Sequence, residues 1–190
     1  MILDPLLAQI EPHGEIPPVD RWHPAQRGEM DLTIAADGRW LHEGTAIARP
    51  RLVRLLSTIL RREPDGDYWL VTPAEMQRIC VEDRPFLIVD AEPDEGGDWW
   101  LTTNVGDRVR LDDECRLTLS ETPAGETIPE VPIRFGLAAR LGRNVYYRLV
   151  EQAETRELGE SALELGLTSG GAWQPLGRLD ADERRDGGGP

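Results

Sequence analysis

The sequence contains no lysine, so all 21 of its basic residues are arginines. A lysine amine is required for a Schiff base with pyridoxal phosphate, for the Walker A loop and for the phosphate-binding strand of protein kinases. The absence of lysine excludes these three kinds of site. Arginine keeps its charge and binds oxyanions through a planar fork, which suits recognition better than proton transfer. A high-GC genome gives the same bias without functional meaning.

Cysteine, histidine and long apolar runs are also scarce. The two cysteines have no CxxC pattern, and the three histidines form no His-x-x-x-His pair. These spacings argue against zinc and favour a reducing compartment. No segment approaches the roughly 20 apolar residues that span a bilayer, and the first residues lack the basic start of a signal peptide. We therefore predict a cytoplasmic protein that does not bind membranes.

Motifs of the common enzyme classes are missing as well. The sequence has neither the Gly-x-Ser-x-Gly elbow of serine hydrolases nor a Gly-x-Gly-x-x-Gly dinucleotide loop after a strand. We predict no catalytic residue, no metal site and no cofactor, and we favour a protein that is not an enzyme.

The protein is strongly acidic, but one segment of the chain is positively charged. The 35 acidic residues give a net charge of −14, which argues against nucleic-acid binding through a broad basic face. Between Arg49 and Arg62 there are nevertheless five arginines and no acid. This reversal makes the segment a candidate anion site.

The length of 190 residues is enough for two small domains. Proline spacing and a change towards β-favouring residues predict an α+β protein. We predict an N-terminal arm at 1–29 that begins with a short helix, an α+β domain at 30–84, a β-rich domain at 85–179 with a helix near 144–153, and a disordered tail at 180–190.

In the first domain, the pattern predicts a hairpin, a long helix and a short helix. The hairpin turns at Asp37-Gly38. The long helix begins at Pro50, and its apolar stripe comprises Leu52, Leu55, Leu56, Ile59 and Leu60. Thr72 caps the short helix, with Glu75 placed as in a capping box.

The second domain is predicted to consist mostly of antiparallel β-structure. Strands are predicted at Phe86–Ala91, Asp98–Thr103, Val109–Leu111, Arg116–Ser120, Val131–Phe135 and Gly170–Leu176, in addition to Tyr68–Val71 in the first domain. Asn144 is the predicted N-cap of the second helix.

The two domains contain a weak internal repeat, in which four residue types recur at a constant offset along the sequence. It predicts a duplicated strand-then-helix unit. The matching positions are Gly44, Ala46, Arg51 and Val53 in the first half, and Gly136, Ala138, Arg143 and Val145 in the second.

Candidate ligand-binding residues lie in and around these elements. Arg49, Arg54 and Arg61 are suited to bidentate bonds with phosphate oxygens. Arg54 is singled out because its apolar neighbours predict that it is half buried. The alternative is that these arginines pair with the surplus of surface carboxylates.

Polar residues beyond the arginines complete the candidate set. Glu75, Glu82 and Asp83 would accept bonds from ribose or base donors, or orient arginines, and Thr72 adds a hydroxyl. Capping and turn formation explain these residues equally well. Asn104, together with Arg143 and Tyr146 in the second helix, are the remaining candidates.

Several dense motifs occur in one order between residues 22 and 178. They are DGRW at 37–40, RPRLVRLLSTILRRE at 49–63, DGDYWLVTPAE at 65–75, VEDRPF at 81–86, TTNVGD at 102–107 and GLAARLGRNVYYRLV at 136–150. In these motifs the sequence resembles a bacterial family, domain-of-unknown-function family 1285.

The resemblance implies a two-domain α+β fold with a repeated motif, whose second domain is superficially like a pleckstrin-homology barrel. It also implies a site between the domains, a nucleotide-like small molecule as ligand, and a role in signal transduction. No reaction is implied.

Three functional hypotheses follow from the residues and the resemblance. The first is a sensor that binds an anionic, nucleotide-like metabolite and thereby alters its contact with a partner protein. The second is an adaptor whose arginine helix docks an acidic protein. The third is a metal-assisted hydrolase or transferase that uses Glu82 or Asp83.

Overall fold

The computed structural model describes residues 16–159 and 162–180. These residues contain fifteen β-strands and two α-helices, so the predicted α+β class is confirmed, with β-structure dominant. They divide into two units. The first comprises the chain up to Leu87 with Asn104–Asp107 and Ile133–Ala138, and the second comprises Ile88–Thr103, Arg108–Pro132 and the chain from Ala139 onward.

The first unit contains a six-stranded sheet. Its strands are β1 (Gln26–Ile34), β2 (Trp40–His42), β3 (Thr45–Ala46), β4 (Leu60–Arg62), β5 (Tyr68–Val71) and β6 (Glu75–Val81). Their order is β3-β2-β1-β6-β5-β4, with β1 and β6 parallel and the other neighbours antiparallel. A short 3-10 helix (Val19–Arg21) precedes β1, and helix α1 (Pro50–Thr58) joins β3 to β4.

The predicted hairpin at Asp37-Gly38 is confirmed. Ile34 pairs with Trp40 across the turn, and both side chains are buried. Gly38 has a φ of +84°, a conformation that glycine adopts without a steric penalty. β1, the first strand of this hairpin, begins at Gln26.

Helix α1 is shorter than predicted. It ends at Thr58, because the hydroxyls of Ser57 and Thr58 donate to carbonyls of the preceding turn and the chain then enters β4. Ile59 and Leu60 therefore lie outside the helix. Arg61 and its neighbour Arg62 lie in a strand, so the prediction that they belong to an arginine helix is wrong.

The predicted short helix after Thr72 is also wrong. Glu75–Val81 is strand β6, which pairs with β1 in parallel. One bond expected of a capping box, from Glu75 N–H to Thr72 Oγ1, is present, but it closes the turn between β5 and β6 instead. Ile79 and Val81 are β-branched, and the gain from pairing with the central strand outweighs the local capping signal.

The second sheet also has six strands. They are β7 (Phe86–Pro93), β8 (Trp99–Thr103), β9 (Arg108–Arg110), β10 (Thr118–Glu121), β11 (Thr127–Arg134) and β12 (Leu137–Leu141), in the order β10-β11-β12-β7-β8-β9. A three-stranded antiparallel sheet, β13-β14-β15, follows helix α2 (Arg143–Glu151). Its strands are β13 (Glu154–Glu157), β14 (Ala162–Ser169) and β15 (Ala172–Asp180).

Helix α2 confirms the predicted second helix but not its N-cap. Gly142, rather than Asn144, is the N-cap residue. A Cβ at Gly142 would lie 2.6 Å from the carbonyl oxygen of Ile88, so only glycine fits this approach of two backbones. Asn144 lies inside the helix.

Two hairpin-and-helix segments have the same backbone geometry. Glu43-Gly44 has φ values of 50° and 74°, and Phe135-Gly136 has 49° and 76°. Two successive positive φ values are typical of type I′ hairpin turns. After each turn comes a strand, β3 or β12, and then a helix of nine residues.

Two sequence predictions fall outside the described residues. One is the short helix at the start of the chain, and the other is the tail at 180–190, of which only Asp180 belongs to a described strand. Neither of the two described helices has the length and apolar character needed to cross a membrane.

Candidate functional site

A cavity of about 210 Å³ lies in the first unit beside the start of α1. Hairpin residues, the first turn of the helix and one loop form its walls. The lining residues are Gly38, Arg39, Trp40, Ala46, Ile47, Pro50, Val53, Asn104 and Val105. None of them is acidic, so the walls offer apolar surface, hydrogen-bond donors and one cation.

Trp40 is the most buried polar group in these walls. Its side chain is 2% exposed, and its Nε1 is buried without a hydrogen-bond partner among the described residues. A buried donor without an acceptor costs about 1–3 kcal/mol, so most such groups in native proteins have a partner. Trp40 lines the cavity, and its Nε1 is a buried donor that has no acceptor among the described residues.

Asn104 is held in a fixed orientation by the backbone of Leu87. Its Oδ1 accepts from Leu87 N–H at 3.0 Å, and its own N–H donates to the Leu87 carbonyl at 2.8 Å. Its Nδ2 lies 3.0 Å from the point where a Cβ of Gly38 would be. Asn104 can offer a ligand its side-chain N–H groups, which donate to no described residue, and the second lone pair of Oδ1.

Arg39 lines the cavity at the protein surface and is paired with Asp37. The Nε–Oδ2 distance is 2.6 Å, and both side chains are more than half exposed. The backbone N–H of Arg39 and then its guanidinium lower the pKa of Asp37. The charge of Arg39 is therefore largely compensated.

Three other arginines near the cavity have no such compensation. Arg49, Arg51 and Arg54 are exposed and form no ion pair with a described residue. The guanidinium of Arg54 packs against Gly106, with Cζ 3.4 Å from the point where a Cβ would be. The prediction that Arg54 is half buried is wrong, but its position next to the cavity-lining residue Val105 keeps it a candidate.

The start of α1 adds positive potential at the same place. Its N-cap residue Arg49 makes no side-chain capping bond, and its first turn contains no acidic residue. The partial positive charge at a helix N-terminus is therefore not compensated locally. Pro50, the first helical residue, lines the cavity.

Arg61 is committed to internal contacts. Its side chain is buried, and Nη1 donates to the carbonyls of Val19 and, at 2.9 Å, of Trp22. Nη2 pairs with Glu63. Arg61 thus fastens the 3-10 helix to β4, and we leave it out of the proposed site.

Thr72 and Glu75 bond to each other in the turn before β6. Thr72 Oγ1 accepts from Glu75 N–H at 3.1 Å and donates to the Glu75 carbonyl at 3.0 Å. The Glu75 carboxylate accepts from the Gln77 amide at 2.7 Å. These contacts give both residues a role in the turn.

Glu82 and Asp83 lie in the turn after β6. Glu82 Oε2 accepts from Ala36 N–H at 2.9 Å, and Asp83 lies 3.6 Å from a guanidinium nitrogen of Arg84. Within residues 16–159 and 162–180, no three side chains of the metal-binding types are grouped closely enough to hold an ion.

Arg143 and Tyr146 belong to the second unit. Arg143 is exposed at the first position of α2. Tyr146 is partly buried, its ring centroid lies 5.8 Å from that of Tyr147, and its hydroxyl lies 3.6 Å from the point where a Cβ of Gly177 would be.

A larger cavity in the first unit, of about 440 Å³, is electrostatically different. Its one arginine, Arg78, bonds to Glu29 and, at 3.3 Å, to Asp67, and these two carboxylates raise the pKa of the guanidinium. With two carboxylates and one guanidinium, the walls of this cavity do not favour the binding of an anion. We therefore focus on the smaller cavity.

Sequence reasoning missed most of the residues that line this smaller cavity. Pro50 was assigned to the start of the helix, Val53 to the internal repeat, and Trp40 and Val105 only to motifs of the family, so none of the four was a candidate ligand contact. Their positions within the DGRW, RPRLVRLLSTILRRE and TTNVGD motifs were the available signal, since these motifs contain all four residues.

Comparison with known proteins identifies the family. One family model, the N-terminal domain of DUF1285, a domain of unknown function, matches residues 17–84, and a second, the C-terminal domain of DUF1285 proteins, matches residues 85–176. The chain belongs to the DUF1285 family.

Two crystal structures of DUF1285 proteins are similar to this chain. The protein from Silicibacter pomeroyi DSS-3 has 38% sequence identity and a TM-score of 0.82, over 94% of each chain. The protein from Shewanella baltica OS155 has 30% identity and a TM-score of 0.53, over 65% of this chain and 92% of its own. No curated protein matches the sequence.

Proposed function

We propose that this DUF1285 protein is a non-enzymatic module that binds a small, anionic, nucleotide-like molecule at the cavity beside α1, in signal transduction. The observation that carries the proposal is Arg54, a guanidinium with no ion pair among the described residues, packed on Gly106 next to the cavity wall.

The electrostatics support an anion at this place. Arg49, Arg51 and Arg54 carry three charges without paired carboxylates, and the N-terminus of α1 adds to their potential. The chain as a whole has a net charge of −14. A local positive field on such a molecule would steer a small anion towards this cavity and away from the remaining surface.

The chemistry of the walls supports binding without a reaction. The lining residues include no cysteine, serine, histidine or carboxylate. A nucleophile or general base would have to be one of these types in most mechanisms. Donors and apolar groups recognise a ligand but do not transform it.

The other two hypotheses have less support. In the metal-assisted enzyme, Glu82 would be a ligand, yet its carboxylate accepts a backbone N–H from Ala36. In the adaptor, the same three arginines would contact an acidic partner, and the cavity would have no role. We place the protein in the cytoplasm, with the small molecule and a responding protein as its partners, and with neither nucleic acid nor membrane.

We also propose that the two hairpin-and-helix segments are duplicates and that the second domain is pleckstrin-homology-like. The paired φ values at Glu43-Gly44 and Phe135-Gly136 and the equal helix lengths support the duplication. The antiparallel strand pairs of the second domain and its single described helix, α2, support the second likeness.

The test is a binding screen with a charge-matched control. AMP, ATP and pyrophosphate are measured by thermal shift and calorimetry against wild type, Arg54→Gln and Arg27→Gln. Arg27 is an exposed arginine of the same unit whose guanidinium lies 5.6 Å from the ring of Trp69, and it does not line the cavity. It therefore controls for the loss of one charge.

We expect at least one compound to stabilise the wild type. A hydrogen bond to a charged group contributes about 1.5–3 kcal/mol, so Arg54→Gln should weaken binding about 10- to 150-fold and Arg27→Gln much less. Equal losses in the two variants would indicate diffuse attraction rather than a site. The absence of any stabilisation would remove the proposal.

A further inference from the structure

We propose that Arg134 and Asp107 are positioning residues of the anion site, because their largely buried ion pair holds the loop Asn104–Asp107 against helix α1. Neither of the two residues lines the cavity. This inference rests on the proposed function, since it names the residues that keep both sides of the same site in place.

The loop Asn104–Asp107, between β8 and β9, supplies one side of the site. Asn104 and Val105 line the cavity, and the guanidinium of Arg54 packs against Gly106. Gly106 has a φ of +94°, a conformation that residues with a side chain rarely adopt. The place of Arg54 beside the cavity therefore depends on how this loop lies against α1.

The loop is attached at both of its ends. At the first end, Asn104 exchanges two hydrogen bonds with the backbone of Leu87. At the other end, the Asp107 carboxylate pairs with Nη1 of Arg134, and the two side chains are 14% and 11% exposed. The second attachment therefore depends on an ion pair that is largely withdrawn from water.

Arg134 joins this end of the loop to α1. While Nη1 holds Asp107, Nη2 donates to the carbonyl of Ser57, in the last turn of the helix, at 2.8 Å. The guanidinium also lies over the buried ring of Phe86, 5.1 Å from its centroid. These residues all belong to the first unit. One side chain thus connects the helix that carries Arg54 to the loop on which Arg54 packs.

Burial is what makes this pair suited to positioning. Removing one partner of a buried ion pair leaves an uncompensated charge, which the surrounding chain must move to solvate. In Asp107→Asn, the amide cannot neutralise Arg134, so this end of the loop should be released. Arg54 would then lose the surface that fixes its guanidinium, and it would have to be immobilised when an anion binds.

A second ion pair of the first unit provides a matched control. The side chains of Arg61 and Glu63 are 10% and 24% exposed. Like Arg134, Arg61 also donates to backbone carbonyls, those of Val19 and Trp22. Glu63→Gln therefore removes one charge from a comparable pair that includes neither the loop nor a cavity-lining residue.

The experiment compares wild type, Asp107→Asn and Glu63→Gln by two measurements. Calorimetry measures the affinity for pyrophosphate. NMR relaxation of the backbone amides, recorded without ligand, measures the order parameters of residues 105–107. Both variants should be less stable than the wild type, so a loss of stability alone does not separate them.

We expect the order parameters of the loop to fall from about 0.85 towards 0.6 in Asp107→Asn and to stay unchanged in Glu63→Gln. Because one long side chain must be immobilised on binding, pyrophosphate affinity should fall about 2- to 12-fold in Asp107→Asn. Glu63→Gln should bind pyrophosphate as the wild type does.

Two further variants test whether Asp107 acts through Arg134. The double variant Asp107→Asn/Arg134→Gln should lose no more affinity than Arg134→Gln alone, since both changes break one ion pair. Arg134→Lys keeps the charge but lacks the planar fork that reaches both Asp107 and Ser57. It should cause smaller losses in the same direction, and it replaces Asp107→Asn if that variant does not fold.

Three results would overturn the inference. They are equal affinity losses in Asp107→Asn and Glu63→Gln, unchanged order parameters in the loop of Asp107→Asn, or additive losses in the double variant. The first result would mean that the affinity follows the overall stability of the protein and not the position of the loop.

The two measurements separate this inference from the proposed function. If pyrophosphate binds through Arg54 and Asp107→Asn binds it as the wild type does, the function stands and the inference fails. If pyrophosphate does not bind the wild type and the loop loses order only in Asp107→Asn, the anionic ligand is wrong and the positioning of the loop stands.

Discussion

Helices α1 and α2 have nearly the same backbone but different surroundings. Each has nine residues and lacks a side-chain capping bond at its start, and each is followed by a C-cap residue, Ile59 or Gln152, with φ of −102° and ψ near zero. Beside α1 lies a cavity, and Arg54 has no carboxylate partner among the described residues. In α2, Arg148 bonds to Asp90 at 2.6 Å.

This comparison separates what the backbone provides from what the side chains provide. The turn, strand and helix recur with small changes in φ, so the same chain geometry can be built from two different sequences. The cavity and the unpaired charge depend on residues that differ between the two segments. The function should therefore follow the side chains of α1 and not the backbone of the repeat.

The largest expected effect tests whether the two helices pack equivalently. Counted from the first helical residue, Leu56 and Leu149 occupy the same position in the two helices, and both are 0% exposed. Replacing either by alanine should lower the free energy of unfolding by about 2–5 kcal/mol, because a cavity remains. Urea unfolding followed by circular dichroism measures the loss.

Leu52→Ala, at a partly exposed position of α1, is the control and should cost less. A cost below about 1 kcal/mol for only one of the two buried leucines would mean that the helices anchor differently, despite their matching backbones.

The second prediction concerns one exposed arginine in each helix. Arg54 and Arg143 are both exposed, and both were candidates from sequence. We expect Arg54→Gln to reduce pyrophosphate affinity by about 1.5–3 kcal/mol and Arg143→Gln to leave it unchanged, since only Arg54 adjoins the cavity. Calorimetry at a single salt concentration measures the pyrophosphate affinity of each variant. If Arg143→Gln weakened binding more than Arg54→Gln did, the site would lie at α2 instead.

The third prediction concerns the N-cap positions. Alanine at Gly142 would place a Cβ 2.6 Å from the Ile88 carbonyl oxygen, which forces the backbone to shift. We expect Gly142→Ala to cost about 1–3 kcal/mol. Arg49→Ala, at the matching exposed position of α1, should change stability by about 0.5 kcal/mol or less. Chemical denaturation of the two variants would show whether the difference exists.

The sequence predicted the elements whose signals are local. The Asp37-Gly38 hairpin, most strands of the second sheet and the existence of both helices were recognised from turn residues and periodicity. The failures arose where a distant strand decided the outcome. Leu60 continues the apolar stripe of α1, yet it pairs with Leu70 in a sheet, and Glu75 fits a capping box, yet it begins a strand beside β1.

The candidate site was predicted only in part for a related reason. Charge reversal identified the segment around Arg54, because charge is visible in a sequence. The unsatisfied donor of Trp40 was not visible, because a missing hydrogen bond depends on every neighbour of the indole. Arg61 looked similar to Arg54 in sequence, and only burial against Val19 and Trp22 distinguishes them.

The smallest expected effect tests the ion pair that α1 lacks. The hydrogen bond from Arg148 lowers the pKa of Asp90 in the folded protein, so the pair stabilises the fold above the unfolded pKa of about 3.9. This contribution is lost as the pH falls through the folded value. Because both side chains are about half exposed, we expect at most about 1 kcal/mol.

Arg148→Ala should therefore destabilise the protein slightly at neutral pH and raise the pKa of Asp90 towards its ordinary value, as read from its carboxyl signal by NMR. The deficit relative to wild type should shrink as the pH falls below that pKa, and it should also shrink in high salt. Arg54→Ala is the matched control, because no described carboxylate pairs with it. If both variants showed the same pH dependence, Arg54 would have a carboxylate partner in solution, and the electrostatic contrast between the helices would be lost.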